Sequence, residues 1–316
     1  MGVATILIIL CHMPAHGVVM PNYLSILLSH GGAGCDLFLF LSGLGMYHSL
    51  NTNKMGGRNT FSWFKKRLFR LLVPYLLICA PIFVVFALRD HWTLSQYFLR
   101  LSTISFYTEG WGLWFLALII VLYVITPLFY KLFTGRSKRE WLFFLICVAW
   151  LPSTLSLSQG FFFNVLFCLC RIPCFLLGLY FADDILTNKQ IKLRYASAAI
   201  LCLFIASLLL NNTGVVTISY IWIERLLVLI TFVLIINRMK HNTIVLNILK
   251  FMGSISLESY CTNVFVLPFF TFISWKIGTI SINPGNWTYY ILGTSFCILI
   301  SLLINKISGQ IIKRPS

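Results

Sequence analysis

Long apolar runs separated by short polar connections dominate this chain. We interpret them as ten segments, with approximate bounds 2–20, 34–50, 71–88, 111–131, 141–157, 161–181, 195–210, 215–236, 251–274 and 288–306. Apolar runs of about 17–25 residues are long enough to cross a bilayer as helices, and they are too continuous for barrel strands, which alternate apolar and polar positions. The pattern predicts an all-α polytopic transmembrane bundle of about ten helices, in one domain over residues 1–316.

The composition agrees with a membrane protein. The chain is 59% hydrophobic and 10% charged, with a mean hydropathy of +0.89, whereas a soluble domain carries about 25% charged residues. The ten cysteines lie almost entirely within apolar runs and lack zinc-like spacing, so we predict that they fill space and bind no metal. The first segment lacks the basic start and the cleavage site of a signal peptide.

The net charge of +16 is distributed as in a membrane protein rather than in a nucleic-acid-binding protein. Nineteen Lys and Arg lie in alternate connections and in the C-terminal tail, and three lie in the remaining connections. Cytoplasmic loops carry the excess of Lys and Arg in membrane proteins. We therefore predict that both termini and every basic loop face the cytoplasm, and that the chain binds the lipid bilayer and no nucleic acid.

The first apolar segment contains a polar residue where lipid normally excludes one. His12 lies near its end and is followed by Pro14 and, four residues on, by His16. An ionisable residue inside a transmembrane segment is a candidate for a functional site. The alternatives are a structural histidine bonded to a neighbouring helix and a metal pair with His16, for which no third ligand is evident.

The second segment brings an acid and several small residues. Asp36 lies in its first turn, where it either favours the helix dipole or orients an imidazole. Ser42, Gly43 and Gly45 predict a small-residue face that lets another helix approach closely.

A basic cluster of three residues, Lys66, Arg67 and Arg70, leads into the third segment. The two arginines are three positions apart and share one face of a helix. Arginine binds phosphate oxygens in a forked geometry, so the cluster predicts a phosphate site. The alternative is an ordinary topology anchor at the membrane surface.

Later segments carry charges that are costly in a bilayer. Arg171, Glu224, Arg225 and Glu258 all lie within predicted helices. A charge at mid-bilayer costs about 2.5–3.5 kcal/mol on insertion scales, so we expect these residues to pair or to face a watery cavity. We hypothesise that Arg171 pairs with Glu258 or Asp36 and lines the acyl path. A purely structural ion pair is the alternative.

Six pieces of sequence cover nearly the whole chain and carry a resemblance. They are the first helix ending in His12, then GGAGCDLFLFLSG (31–43), KKRLFRLLVPY (65–75), WGLWFLALIIVLY (111–123), RIPCFLLGLYF (171–181) and GSISLESYCTN (253–263). In this order they resemble the membrane-bound acyltransferase-3 family, the integral membrane O-acyltransferases that modify bacterial surface sugars.

The resemblance implies a multi-pass protein of the bacterial cytoplasmic membrane that uses cytoplasmic acetyl-CoA as acyl donor. It implies a glycan or small glycoside whose hydroxyl is handled at or beyond the outer face. On this interpretation the basic cluster holds the coenzyme A phosphates, and His12 acts as general base or carries the acyl group. Asp36 orients the imidazole, and Ser42 or a backbone N–H of the glycine-rich stretch at residues 31–34 stabilises the oxyanion.

Two positions depart from the family's pattern. The family has Arg or Lys eleven positions before the histidine, where this chain has Met1; because the first helix then lacks a cytoplasmic anchor, we expect a segment to precede it. Many members have histidine where this chain has Asn263. An asparagine can hold a hydrogen bond but cannot take a proton, so we assign it no acid–base role.

Two other functions remain open at the level of sequence. A polytopic transporter or flippase for lipid-linked sugars accounts equally well for the helices and the buried charges, but it accounts poorly for the basic cluster and for His12. A catalytically inactive relative is compatible with the residues found at Met1 and Asn263.

Overall fold

The predicted helical architecture is confirmed by the computed structural model, which describes residues 1–52, 60–135, 140–141, 144, 161–187, 242–268, 275–277, 280–282 and 286–313. Four helical stretches in this described part are long and apolar enough to cross a membrane, namely Asn22–Thr52, Ser62–Arg89, Phe162–Leu186 and Trp287–Ile312. The cytoplasmic location of the termini follows from the charge distribution and stays a prediction.

The elements are named in chain order. The first half contains α1 (Gly2–Ala15), α2 (Asn22–Ser29), a 3-10 turn (His30–Gly32), α3 (Ala33–Thr52), α4 (Thr60–Arg89), α5 (Leu94–Leu101), α6 (Ser105–Glu109) and α7 (Trp114–Gly135). The second half contains α8 (Phe161–Leu169), α9 (Ile172–Leu186), α10 (Thr243–Ser254), α11 (Ser256–Phe265), β1 (Trp275–Ile277), β2 (Ile280–Ile282) and α12 (Trp287–Lys313). The two strands form an antiparallel hairpin in which Trp275 faces Ile282.

The predicted segment 161–181 is two helices rather than one. A turn at Cys170 and Arg171 separates α8 from α9. Pro173 lies in the first turn of α9, where proline is favoured because no backbone N–H is needed. The break leaves Arg171 at the N-cap of α9.

The predicted segment 251–274 is also divided. Its first helix, α10, begins earlier than expected because the Asn242 side chain accepts hydrogen bonds from the N–H groups of Ile244 and Val245 and caps the helix there. A turn at Ile255 then separates α10 from α11.

Some predictions fall outside the described residues. These are the segments 195–210 and 215–236, most of the segment 141–157, and the charged residues Glu224 and Arg225. Their helical character and pairing stay predictions.

The chain divides into two compact units. Unit 1 contains Met1–Gly34, Ser62–Ile104 and Met239–Ser316, and unit 2 contains Cys35–Phe61 and Ser105–Arg238. Of the predicted site residues, His12, the basic cluster and Glu258 belong to unit 1, whereas Asp36, Ser42 and Arg171 belong to unit 2.

In unit 1, the glycine-rich stretch at residues 31–34, where α3 begins, packs closely against α1. A side chain at Gly31 would place its Cβ 2.4 Å from the carbonyl oxygen of Leu7, and one at Gly34 would place it 2.6 Å from that of Ala4. Small residues allow this close approach of helix backbones. The two glycines therefore have a clear packing role.

In unit 2, α3 and α9 cross at a pair of glycines. A Cβ at Gly43 would lie 2.1 Å from the carbonyl oxygen of Phe175, and a Cβ at Gly178 would lie 2.0 Å from that of Phe40. The predicted small-residue face is thus confirmed at Gly43. At Gly45 a Cβ would meet no atom of the described residues within 4 Å, so the close approach expected there stays a prediction.

Candidate active site

His12 lies in the last turn of α1, and the helix ends soon after it because Gly17 terminates it. Gly17 adopts a φ of 77°. Its N–H donates to the Pro14 carbonyl at 3.0 Å, and the next N–H along the chain donates to the Met13 carbonyl at 3.2 Å. This pair of bonds defines the Schellman motif. The predicted first segment therefore ends about one turn after His12 and does not continue to residue 20.

Asn263 lies on α11, which side-chain hydrogen bonds join to α12. Thr262 Oγ1 lies 3.0 Å from Ser301 Oγ, and Cys297 Sγ donates to the Thr262 carbonyl at 3.6 Å. All these side chains are buried. Polar contacts of this kind hold neighbouring membrane helices together, so the orientation of Asn263 is set by helix packing.

His12 Nδ1 and Asn263 Oδ1 form a hydrogen bond. An amide oxygen only accepts hydrogen bonds, so the proton of the bond is on Nδ1 of His12, and Nε2 of the neutral ring presents a lone pair. The imidazole is half-buried, and Asn263 is 1% exposed. A base whose tautomer is fixed by a partner is suited to general-base or nucleophilic catalysis.

Two further rings adjoin the imidazole. The His16 ring lies edge-on to that of His12 with centroids 6.1 Å apart, and the Tyr290 ring lies 5.9 Å from His16. The Tyr290 hydroxyl donates to the carbonyl of Ile9 on α1. Within the described ranges, no three His, Cys, Asp or Glu residues form a metal-ligand group, and no third ligand accompanies the two histidines.

Asp36 and Arg171 form a buried ion pair in unit 2. Arg171 Nη1 donates to Asp36 Oδ1 at 2.9 Å and to Oδ2 at 3.1 Å. The Arg171 side chain is 6% exposed and that of Asp36 is 0% exposed. The guanidinium carbon lies 4.3 Å from the ring centroid of Trp114 and 4.7 Å from that of Phe167, which adds cation–π attraction. One of the two partners hypothesised for Arg171 is therefore its ion-pair partner.

Glu258, the other hypothesised partner of Arg171, has a neutral amide as its observed partner. Its Oε1 accepts from Asn305 Nδ2 at 3.0 Å, and the same amide donates to the Ser254 carbonyl at 3.0 Å. Glu258 is 4% exposed. The observed partner of Arg171 is Asp36, and that of Glu258 is the Asn305 amide.

The remaining predicted residues lie on α4 and α3. The basic cluster lies near the start of α4, with Lys66 and Arg70 exposed and Arg67 half-exposed, so phosphates can reach it. Ser42 is half-buried on α3, next to the Gly43 crossing. The phosphate-binding and oxyanion roles of these residues stay predictions.

Asn263 is the partner of His12 that the sequence does not reveal. The two residues are 251 positions apart, and no local pattern connects them. One signal was available, because Asn263 is a polar residue inside an apolar segment, the same feature that pointed to His12. An asparagine does not titrate, so a search for acids and bases passes over it. Tyr290 was missed because buried tyrosines are common in apolar segments.

Comparison with known proteins adds one finding. A family model described as an acyltransferase domain matches residues 2–306, nearly the whole chain. No curated protein and no solved structure matches the chain significantly.

We predict that the losses of stability from removing Asp36 and from removing Arg171 do not add. Each single removal leaves an unpaired buried charge, whereas removal of both does not. Arg171→Met leaves a buried carboxylate unpaired, and Asp36→Leu leaves a buried guanidinium unpaired; either change should cost about 3–5 kcal/mol of unfolding free energy. The double variant should cost less than the two single variants added together. Thermal unfolding of the purified protein in detergent measures this cycle.

The exposed pair of Arg89 and Asp90, joined at 2.6 Å, is a matched control for this cycle. Its coupling should be far smaller, because exposed ion pairs are screened by water. If the losses at Asp36 and Arg171 simply add, the pair contributes no coupling and the prediction is contradicted.

Proposed function

We propose a function on the premise that the chain belongs to the membrane-bound acyltransferase-3 family, whose model covers residues 2–306. The chain is therefore a membrane acyltransferase. The proposed reaction moves an acetyl group from cytoplasmic acetyl-CoA to a hydroxyl of an exported or surface glycan, or of a small glycoside. The proposed location is the bacterial cytoplasmic membrane.

The His12–Asn263 hydrogen bond is the observation that carries this proposal. Acyl transfer to a hydroxyl needs a group that takes the hydroxyl proton as the new ester bond forms. With its proton on Nδ1, the imidazole offers Nε2 for that purpose. In the proposed mechanism His12 is the general base, and the imidazolium then protonates the departing coenzyme A sulfur.

The donor site is proposed at the basic cluster of α4. Lys66, Arg67 and Arg70 are accessible at the start of this helix and carry the charge and forked geometry that phosphates require. The cluster and His12 belong to the same compact unit. Coenzyme A phosphates bound at the cluster would leave the acetyl thioester on a flexible arm that extends towards the imidazole.

Asp36 and Arg171 are proposed to support the fold of unit 2. Both carboxylate oxygens of Asp36 accept from Arg171, so the carboxylate is already committed to a cation. This favours a structural ion pair over an acid that orients the catalytic imidazole. The family's glycine-rich stretch likewise packs on α1 through Gly31 and Gly34, which favours packing over an oxyanion role for its backbone.

The test of the proposed function is the O-acetyl content of surface glycans, measured by NMR. Deletion of the gene should abolish the acetyl signal that depends on it. His12→Ala at matched protein level should remove most of that signal, because a positioned base usually contributes about 10²–10⁴-fold to the rate.

The control for the His12 substitution is His48→Ala, which changes an exposed histidine on α3 and should leave the signal unchanged. Loss in the deletion strain but not in His12→Ala would keep the acyltransferase and remove His12 from the chemistry. An unchanged glycan in every strain would contradict the proposed acceptor, and glycan export would then separate a flippase from an inactive relative.

We also predict that the basic cluster recognises phosphate rather than serving only as a topology anchor. Arg67→Lys and Arg70→Lys keep the positive charge but lose the fork that binds phosphate oxygens. The KM for acetyl-CoA should rise about tenfold, a loss in the range of one hydrogen bond to a charged group. Initial rates on reconstituted protein measure this change.

A phosphate-free donor supplies the control for this measurement. S-acetyl-pantetheine has the same thioester but no phosphates, so its KM should not respond to the two substitutions. Arg89→Lys, at the other end of α4, should leave both donors unaffected. If acetyl-CoA and S-acetyl-pantetheine respond equally, the cluster does not bind the coenzyme A phosphates.

A further inference from the structure

Of the two polar atoms of the Asn263 side-chain amide, the oxygen is hydrogen-bonded to a described residue and the nitrogen is not. Its Oδ1 accepts the hydrogen bond from His12 Nδ1. Its Nδ2 has no hydrogen-bond partner within the described part of the chain, although the residue is 1% exposed. Buried polar groups are almost always hydrogen-bonded, and an exception in a folded protein requires an explanation.

The neighbours of the amide do not satisfy Nδ2. Tyr290 is the polar neighbour of the amide, and its phenolic oxygen lies close enough to Asn263 to interact with it. The Tyr290 hydroxyl donates to the Ile9 carbonyl, and its contact with Nδ2 falls short of hydrogen-bond geometry. Thr294 lies one turn further along α12, where its buried hydroxyl adjoins Tyr290 without a well-formed hydrogen bond among the described residues. The Asn263 Nδ2 donor is thus left without a well-formed hydrogen bond among the described residues, next to the amide oxygen that binds His12.

We propose that Asn263 is a catalytic residue whose Nδ2–H group binds the carbonyl oxygen of the acyl donor and stabilises the oxyanion that forms there. This inference rests on the proposed acyl transfer. It assigns the oxyanion site to α11 in place of Ser42 and the glycine-rich backbone. Donors aimed at a developing oxyanion in a water-poor site are among the largest contributions to acyl-transfer catalysis.

The reaction step follows from these positions. The acceptor hydroxyl oxygen bonds to the thioester carbonyl carbon, its proton passes to His12 Nε2, and the carbonyl π electrons move onto the oxygen that faces Asn263 Nδ2. Collapse of this tetrahedral intermediate restores the carbonyl and breaks the C–S bond. The coenzyme A sulfur leaves with the proton from His12, so the products are the acetyl ester and free coenzyme A.

One asparagine thereby fixes the base and the oxyanion donor relative to each other. The bond from Oδ1 sets the orientation of the imidazole, and the rigid planar amide sets the direction of Nδ2. Thr262, the residue immediately before Asn263, is fixed by hydrogen bonds to Ser301 and Cys297 of α12. Preorganised positions of this kind are what transition-state stabilisation requires.

The test uses two donors that differ in one atom. They are acetyl-CoA and its dithioester analogue, in which sulfur replaces the carbonyl oxygen. Sulfur accepts hydrogen bonds weakly, so the wild-type protein should strongly favour the oxygen donor. The acceptor is the glycan whose acetyl content depends on the gene, deacetylated with mild base, and the protein is the full chain reconstituted in lipid vesicles.

The decisive variant is Asn263→Asp. It keeps an oxygen that accepts from His12 Nδ1 but removes the Nδ2 donor, so kcat with acetyl-CoA should fall about 10²–10³-fold. The preference for the oxygen donor over the sulfur donor should fall at least about tenfold with it. If Asn263 only orients His12, the carboxylate would still accept from Nδ1, and the oxygen-over-sulfur preference would stay at its wild-type value.

A second variant keeps the inference testable if the buried carboxylate prevents folding. Asn263→Leu is neutral and apolar and should also lower the oxygen-over-sulfur preference, because that ratio reports the missing donor whatever happens to the imidazole. Asn286→Asp changes an exposed asparagine before α12 and should leave the ratio unchanged. A wild-type ratio in Asn263→Leu would overturn the inference.

Failure of the proposed acyl transfer and failure of the Asn263 assignment would give different results. If the wild-type protein transfers no acetyl group from acetyl-CoA to the glycan, the proposed function fails and the assignment of Asn263 fails with it. If the wild-type protein transfers acetyl but the Asn263 variants keep its oxygen-over-sulfur ratio, acyl transfer stands and only the oxyanion assignment is wrong.

Discussion

The hydrogen bond between His12 and Asn263 is the interaction on which the proposed chemistry depends. Inside a membrane a polar side chain needs a hydrogen-bond partner from the protein itself. His12 and Asn263 are such partners for each other. The bond determines which imidazole nitrogen carries the proton. Because Thr262 and Glu258 tie α11 to α12, the geometry of the site rests on packed helices rather than on a loop.

The same requirement for partners explains the polar residues of unit 2. Arg171 is held by Asp36 and two aromatic rings at the turn between α8 and α9, so a charge that would be costly in lipid is neutralised and covered. The crossing of α3 and α9 at Gly43 and Gly178 brings the two backbones into contact. A buried ion pair and a close helix crossing thus stabilise one unit, while the imidazole and the unpaired amide lie in the other.

The sequence was sufficient to predict the helices, which follow from local pattern, and the unusual polar residues inside them. Apolar runs indicated the helices, and His12, Asp36 and Arg171 were prominent because polar groups are rare inside such runs. The hydrogen bond between His12 and Asn263 could not be predicted from the sequence, because it depends on how helices far apart in the chain pack together. The break before α9 was predictable from Pro173, but hydrophobicity alone continues across it, so a single helix was expected.

The tautomer of His12 tests the central claim most directly. Nitrogen NMR of [15N]histidine-labelled protein at neutral pH distinguishes a protonated ring nitrogen from one with a lone pair, and His12→Gln identifies the signals of His12. The account predicts a proton on Nδ1 and a lone pair on Nε2, with this preference lost in Asn263→Leu. A wild-type imidazole with its proton on Nε2 would contradict it, because Nδ1 would then carry a lone pair and could not donate to Asn263 Oδ1.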